Sequence, residues 1–318
     1  MFRTIFWRLV ILAVGVIAVL IVGRYWAIRA IQCAPDCTGS NLRNRTLVRL
    51  DLRRVIFIEA DLREANLSSS NLKGADLSGA NLQQANLKNA DLTYAKLLGA
   101  DLSGAHLVGA TLSGVDLRGA TLTEVDLTRV DLTEVRLSGV NLGKAILVEA
   151  NLQDVNLEGV EFVAADLTGA NLNRARLNGA SLSRADLSGA SLIRADLSGA
   201  WLNLSKLTGA NFTQASLAGA SMLGASASAA IMYQSNLVGA LLVGTRMHGV
   251  DLRSANLESA RVTVAELEDR DFMADPILIQ LNAVESNALR QNADFDGIRD
   301  DKATAWPEVL KSSRSSPN

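Results

Sequence analysis

The sequence predicts an all-β solenoid with four sides and about 11 coils, preceded by one transmembrane helix and followed by an amphipathic helix. Three observations predict it. A hydrophobic residue recurs at every fifth position from Leu42 to Leu257, a small residue stands two places before it, and one set of glycines recurs with a spacing of 20. Aromatic residues make up only 4% of the 318-residue chain, whereas ordinary globular cores draw much of their buried area from them. The interior is therefore narrow and filled by small and medium side chains.

The first element is apolar. Ile5 to Ile28 spans 24 residues around the uncharged run Leu9 to Gly23. As a helix rising about 1.5 Å per residue it reaches about 36 Å, enough to cross a hydrocarbon core of about 30 Å. Arg8 and Arg24 can snorkel to the headgroups, and Trp7, Tyr25 and Trp26 sit where an aromatic belt belongs. A cleaved signal peptide is the rival, but Arg24-Tyr25-Trp26 makes a poor cleavage flank. Residues 1–30 are thus expected to be a single-pass anchor, and 31–41 a linker. Arg3 and Arg8 lie on one side, and Arg24, Arg29, Arg43 and Arg45 on the other, so the positive-inside count leans toward a cytoplasmic repeat domain. Cys33 and Cys37 fall short of the four ligands of a zinc site and would form a local disulfide only in an oxidising compartment.

The second element is the repeat, assigned to residues 42–269. The 44 central positions from Leu42 to Leu257 hold 37 Leu; the others are Phe57, Phe162, Phe212, Met222, Ala227, Met232 and Met247. The 40 small positions from Ala60 to Ala255 hold 28 Ala, 8 Val, 3 Ser and Thr245. The residue between them is mostly Asp, Asn, Ser or Thr. A step of five suits neither standard element: it spirals leucines around an α-helix and flips them between the faces of a continuous strand. The chain must run extended for a few residues and then bend, every five. Within a unit, the small and central residues are two apart and share the inward face, while the polar residue between them points out.

Glycine sets the number of units per coil. Of 24 glycines, 19 lie two residues after a central position, and Gly79, Gly99, Gly119, Gly139, Gly159, Gly179, Gly199, Gly219 and Gly239 form an unbroken series. One corner in four is thus expected to be special, a type II turn with φ > 0, and one coil to be four units. Arg45 and Leu50 occupy small-residue positions, so the first coil is expected to be irregular.

Ala-Asp-Leu-Ser-Gly occurs verbatim at 75–79, 100–104, 185–189 and 195–199. On these residues the chain resembles the pentapeptide-repeat proteins, and the resemblance covers about two-thirds of it. It implies a right-handed, quadrilateral β-helix and says little about function, since most members are uncharacterised. Some members inhibit DNA gyrase by mimicking DNA, which needs a strongly acidic rod, usually dimerised through its C-terminal end. Here residues 40–264 carry 21 basic and 21 acidic side chains, and no nucleic-acid partner is expected.

Two surfaces stand out as candidate sites. Arg43, Arg45, Arg49, Arg53 and Arg54 cluster in the first coil, either as a solvated cap or as a basic collar on anionic lipid. Trp201, Leu204, Leu223, Leu241 and Val243 fall on one face near the far end, and Ile193, Ile231 and Tyr233 on the opposite one. Large exposed apolar patches usually mark a partner, and the tail is the other candidate to cover them. Ala227, too small for a central position, has Met222, Met232 and Met247 as its expected neighbours, a flexible repacking of the core.

After Leu267 the repeat stops. Asp275-Pro276 reads as N-cap and first helical residue, and Ile277, Leu278, Leu281, Val284, Ala288 and Leu289 form one apolar stripe. The helix, within 270–293, is expected to cap the open end or lie on the Trp201 face; a homodimer through the C-terminal end is the alternative. Residues 294–318 are expected to be partly disordered. His106 and His248 lie about seven coils, roughly 34 Å, apart, and no nucleophile, phosphate or dinucleotide motif occurs. The expectation is a non-enzymatic scaffold or interaction rod at a bacterial membrane, with a protein partner and no cofactor or metal. DNA-mimicking gyrase binding is the rival.

Overall fold

The computed structural model describes residues 31–261. Over this span the backbone winds in coils of 20 residues, four units per coil. Single-residue parallel bridges join each outward residue to the one 20 places on, from Asp36–Ile56 to Leu241–Arg261. The predicted anchor (1–30) and C-terminal helix lie outside the described residues. Among those described, no helix is long and apolar enough to cross a membrane.

The repeat is explained by where its amide groups go, taking Asp76 to Ala80 as an example. The Asp76 amide donates down to the Val55 carbonyl (3.0 Å), the Leu77 amide up to Lys96 (2.7 Å) and the Gly79 amide up to Leu98 (2.9 Å). The Ala80 amide closes the turn onto the Leu77 carbonyl (3.0 Å). The remaining donor, the Ser78 amide, binds Oδ1 of Asp76 (3.2 Å). Every donor of the unit has an acceptor, as a buried or half-buried backbone requires. Within a unit this last donor is met by an outward residue with a side-chain oxygen at Asn or Asp reach, which is why those residues recur there; the Ile193 and Leu223 amides, in units with an outward Ser, are met instead by Asn173 and Asn203 of the coil below.

The core is one continuous column along the rod, to which each coil contributes four central side chains. The central leucines and the phenylalanines Phe57, Phe162 and Phe212 are buried along the whole rod, with the small residues beside them. Each buried Leu contributes about 1.5–3 kcal/mol, so stability accumulates coil by coil. Hydroxyls at small positions are satisfied in place: Ser70, Ser205 and Ser235 donate to the carbonyls of Leu67, Leu202 and Met232. Thr245 donates across coils to Met222 (2.7 Å). The Ala227 amide donates to Arg246, which places Met247 one coil above Ala227.

Three expectations change. The glycine corner is not special: the residue two places after the central one has φ between 55° and 72° at every corner from Gly39 to Ser259 except Glu134. The i→i+3 hydrogen bond with positive φ at the third residue is the type II pattern. It is adopted by Arg49, Glu59, Tyr94 and Leu204 as well as by glycine. The first coil is also regular in its backbone; Thr46 and Asp51 pair with Asn66 and Asn71. Arg45 simply points into solvent where other coils bury Ala. Finally, the ladder starts inside the stretch assigned to a linker, because Asp36 pairs with Ile56 and Cys37 is buried at a central position. Cys37 is bridged to Cys33, with Cα atoms 4.9 Å apart.

One stretch is less regular. The Thr111–Asp131 and Arg136–Asn156 rungs are missing from a ladder that is otherwise unbroken among the described residues. Nearby bonds are long, such as Asp116 to Ala95 (3.4 Å) and Glu161 to Val140 (3.5 Å). Seven of the eight valines at small positions lie here, between Val115 and Val160. With a period of 20, Val115, Val135 and Val155 stack in one column. Their branched side chains crowd a site sized for a methyl group, and the corner that departs from the common φ, Glu134, directly precedes Val135.

Candidate functional site

Faces I to IV are named here by their outward residues: Asn41 to Arg261 on I, Thr46 to Arg246 on II, Asp51 to Asp251 on III and Asp36 to Asn256 on IV, each in steps of 20. The outward aspartates are committed to their own turns. Burial pushes the Asp196 carboxyl up, but the Ser198 hydroxyl and amide and the Asn178 amide outweigh it, so the group sits below its ordinary range. Asp61 is held down at about 2, chiefly by the hydrogen bond from Arg63. Charges also pair along the columns: Arg129 with Glu149 (2.6 Å), Lys144 with Glu124 (3.0 Å), Arg174 with Asp154 (2.6 Å) and Lys206 with Asp186 (3.0 Å). Among the described residues no cluster of His, Cys, Asp and Glu could hold a metal ion.

The five arginines of the first coil separate into two groups. Arg43 pairs with Glu64 (2.6 Å), and Arg53 grips Asp51 with two hydrogen bonds of 2.7 Å. Arg45, Arg49 and Arg54 are exposed and have no acidic partner among the described residues. They follow one another around the coil, at the ends of faces I, II and III.

The apolar group comes together on face I. Trp201 and Leu241 stand in one column with Ser221 between them and Arg261 on top. Trp201 is 59% exposed and Leu204 57%. Leu204 holds a corner with φ +59°, and its side chain leans over Gly224, where a Cβ would stand only 2.9 Å from it. A bulky residue in that conformation is costly; here the glycine of the next coil leaves room for it. Beside them, Asn203 accepts from the Ser221 hydroxyl (2.6 Å) and the Leu223 amide (3.1 Å), tying two coils of the patch together. Leu223 is exposed, while Leu241 and Val243 are half-buried. Sequence reasoning missed Val163, which is 41% exposed in the same turn column as Leu223 and Val243. Its position on that column, in steps of 20, was the available signal. On face III, Ile231 is exposed and Tyr233 half-buried, with Arg253 over the Tyr233 ring at 5.7 Å.

This geometry defines a β-solenoid protein with four five-residue units per coil. The chain belongs to the pentapeptide-repeat family: its profile, "Pentapeptide repeats", matches in 8 copies that run from residue 36 to residue 269. With membership, the solenoid is right-handed. Among solved structures, the chain is 40% identical to HetL, a pentapeptide repeat protein involved in heterocyst differentiation regulation from the cyanobacterium Nostoc. That match covers 64% of this chain and 89% of HetL, with a TM-score of 0.46. It is 29% identical to Rfr23 of the cyanobacterium Cyanothece over 35% of this chain and 85% of that one, TM-score 0.23. It is 19% identical to trypsin-treated QnrB1, a plasmid-mediated fluoroquinolone resistance protein, over 69% and 89%, TM-score 0.29. No curated protein matches the chain.

Proposed function

We propose that the chain is a non-enzymatic interaction rod, tethered to a bacterial membrane by residues 1–30, whose contact surface is the Trp201–Leu241 patch on face I. One observation carries the reading: outward aspartates and asparagines are used up by their own turns, while the exposed apolar side chains Trp201, Leu204 and Leu223 gather at the end far from the apolar segment. Large exposed patches of this kind usually mark a partner surface. The test is affinity capture of the full chain from solubilised membranes. A protein retained by the native chain and by an Ile231→Asp control on face III, but lost with Trp201→Asp/Leu241→Asp, is the expected result. Equal retention by all three removes the patch from the reading.

The repeat domain is proposed to face an oxidising compartment, against the arginine count. The Cys33–Cys37 bridge supports this, since such bonds persist outside the reducing cytosol. Cysteines that react with maleimide in intact cells without reductant would refute it. Arg45, Arg49 and Arg54 then form the collar toward anionic headgroups, worth about 1 kcal/mol each near the surface. Slower amide exchange over residues 41–56 in anionic than in neutral nanodiscs is expected, and no difference ends the collar reading. The column-wise charge pairing does not favour DNA mimicry, and a gyrase supercoiling assay is expected to be unaffected.

A further inference from the structure

We infer that the apolar patch on face I is covered by the chain's own C-terminal segment, residues 276–292, lying along the side of the rod rather than across its open end. In the free chain the segment shields the patch, and the partner proposed above would bind there by displacing it.

The first argument is where the described chain stops. Arg261 forms the last rung of face I, directly above Leu241 and in the column that descends through Ser221 to Trp201. Of the connecting stretch 262–275, the repeat profile covers the part up to 269; residues 270–275 alone, extended at about 3.3 Å each, reach about 20 Å, more than the two or three coil heights, at about 4.8 Å each, down to the patch.

The second argument is length. The apolar positions from Ile277 to Leu289 extend over about 18 Å of helix. The apolar patch on face I, from Trp201 and Leu204 through Leu223 to Leu241 and Val243, spans about two coils, or about 10 Å. The apolar stripe of the segment is long enough to run over the whole patch along the rod axis.

The third argument is charge. Arg184 lies one coil below Leu204 in its corner column, and Arg246 and Arg261 stand at the upper end of faces II and I. None has an acidic partner among the described residues, in contrast to Lys206, two coils below Arg246, which pairs with Asp186. The connecting segment supplies what they lack: Glu266, Glu268, Asp269, Asp271 and Asp275 against Arg270 alone.

The test is hydrogen exchange on the full chain in detergent micelles. Amides of 276–292 are expected to exchange at least about tenfold more slowly than those of 311–318. With Trp201→Asp/Leu241→Asp, protection should disappear while the ladder amides from Trp201 to Arg261 stay protected. Leu281→Asp, which leaves the rod untouched, should have the same effect. Three results overturn the proposal: no protection in the native chain, protection that survives the face I replacements, or protection lost on dilution, which would make the occupant a second copy.

Discussion

The coils between residues 111 and 160 and those between 161 and 240 share one sequence pattern and one fold, yet differ in the ladder. The upper coils carry Ala at nearly every small position, and each of their rungs is formed. The middle coils carry Val at seven of these positions and lack two rungs. Leu fills the central positions of both apart from Phe162, Phe212, Met222, Ala227 and Met232 in the upper part. The difference tracks the small residue: both missing rungs lie in the valine-rich coils, although the Asp116–Arg136 and Asn141–Glu161 rungs beside stacked valines still form, so the crowding strains the ladder without abolishing it.

The largest effect should come from carrying the valine column upward. Ala175→Val/Ala195→Val continues the stack above Val155 and should cost about 1–3 kcal/mol per site as overpacking, read by urea unfolding, with faster exchange of the Arg176 and Asp196 amides. A ladder that stays intact would mean crowding is not the cause. Acid should act next, on a paired site outside both regions. The Asp61 carboxyl is held down at about 2 in the folded chain by the Arg63 guanidinium, below its ordinary value of 3.8. Its contribution is fully present above the unfolded value and is lost as pH falls through the folded one. A Tm titration from pH 5 to about 2 should flatten in Asp61→Asn; an unchanged slope would detach the Arg63 pair from acid stability.

A smaller effect is expected in the opposite direction. Val135→Ala should slow exchange of the Asn156 amide, whose acceptor on the face IV pattern is the Val135 carbonyl. The gain of a rung is offset by loss of buried methyl groups at about 0.8 kcal/mol each, so overall stability should move little. Smallest of all should be Gly179→Ala. An added Cβ there meets open space, leaving only the cost of the left-handed backbone, about 1 kcal/mol. Gly114→Ala should cost more, because the Tyr94 ring lies against that glycine. Equal losses in the two variants would show that φ alone governs these corners.

Period and coil size were legible because Leu and Ala mark the inward face without interruption for more than 200 residues. The glycine series counted the units per coil correctly, and its corner does hold the expected positive-φ turn, but that turn is shared by all four corners. The ladder imposes the same φ on Arg49 and Glu59 as on Gly79, and a sequence displays only the corners where glycine happens to stand. The role of Asp and Asn was hidden for a related reason, since their partner is a backbone amide two residues away, which composition does not register. Cys37 escaped because neither its residue type nor the proline before it fits the repeat, though its number does. The patch at Trp201 could be read from spacing alone. Its exposure, the posture of Leu204 over Gly224 and the membership of Val163 required knowing which side chains the neighbouring coils leave uncovered.

Because each unit hydrogen-bonds to the coils 20 residues before and after it, the repeat separates two quantities that most folds bind together. Splicing in twenty residues would lift everything above the splice by one storey, about 4.8 Å, without turning it. Splicing in five would swing everything above it by about a quarter turn while keeping the five-residue pattern in phase. Height above the collar and compass bearing of the Trp201 surface are thus independently adjustable, and a chain built this way can re-aim its display by changing length alone.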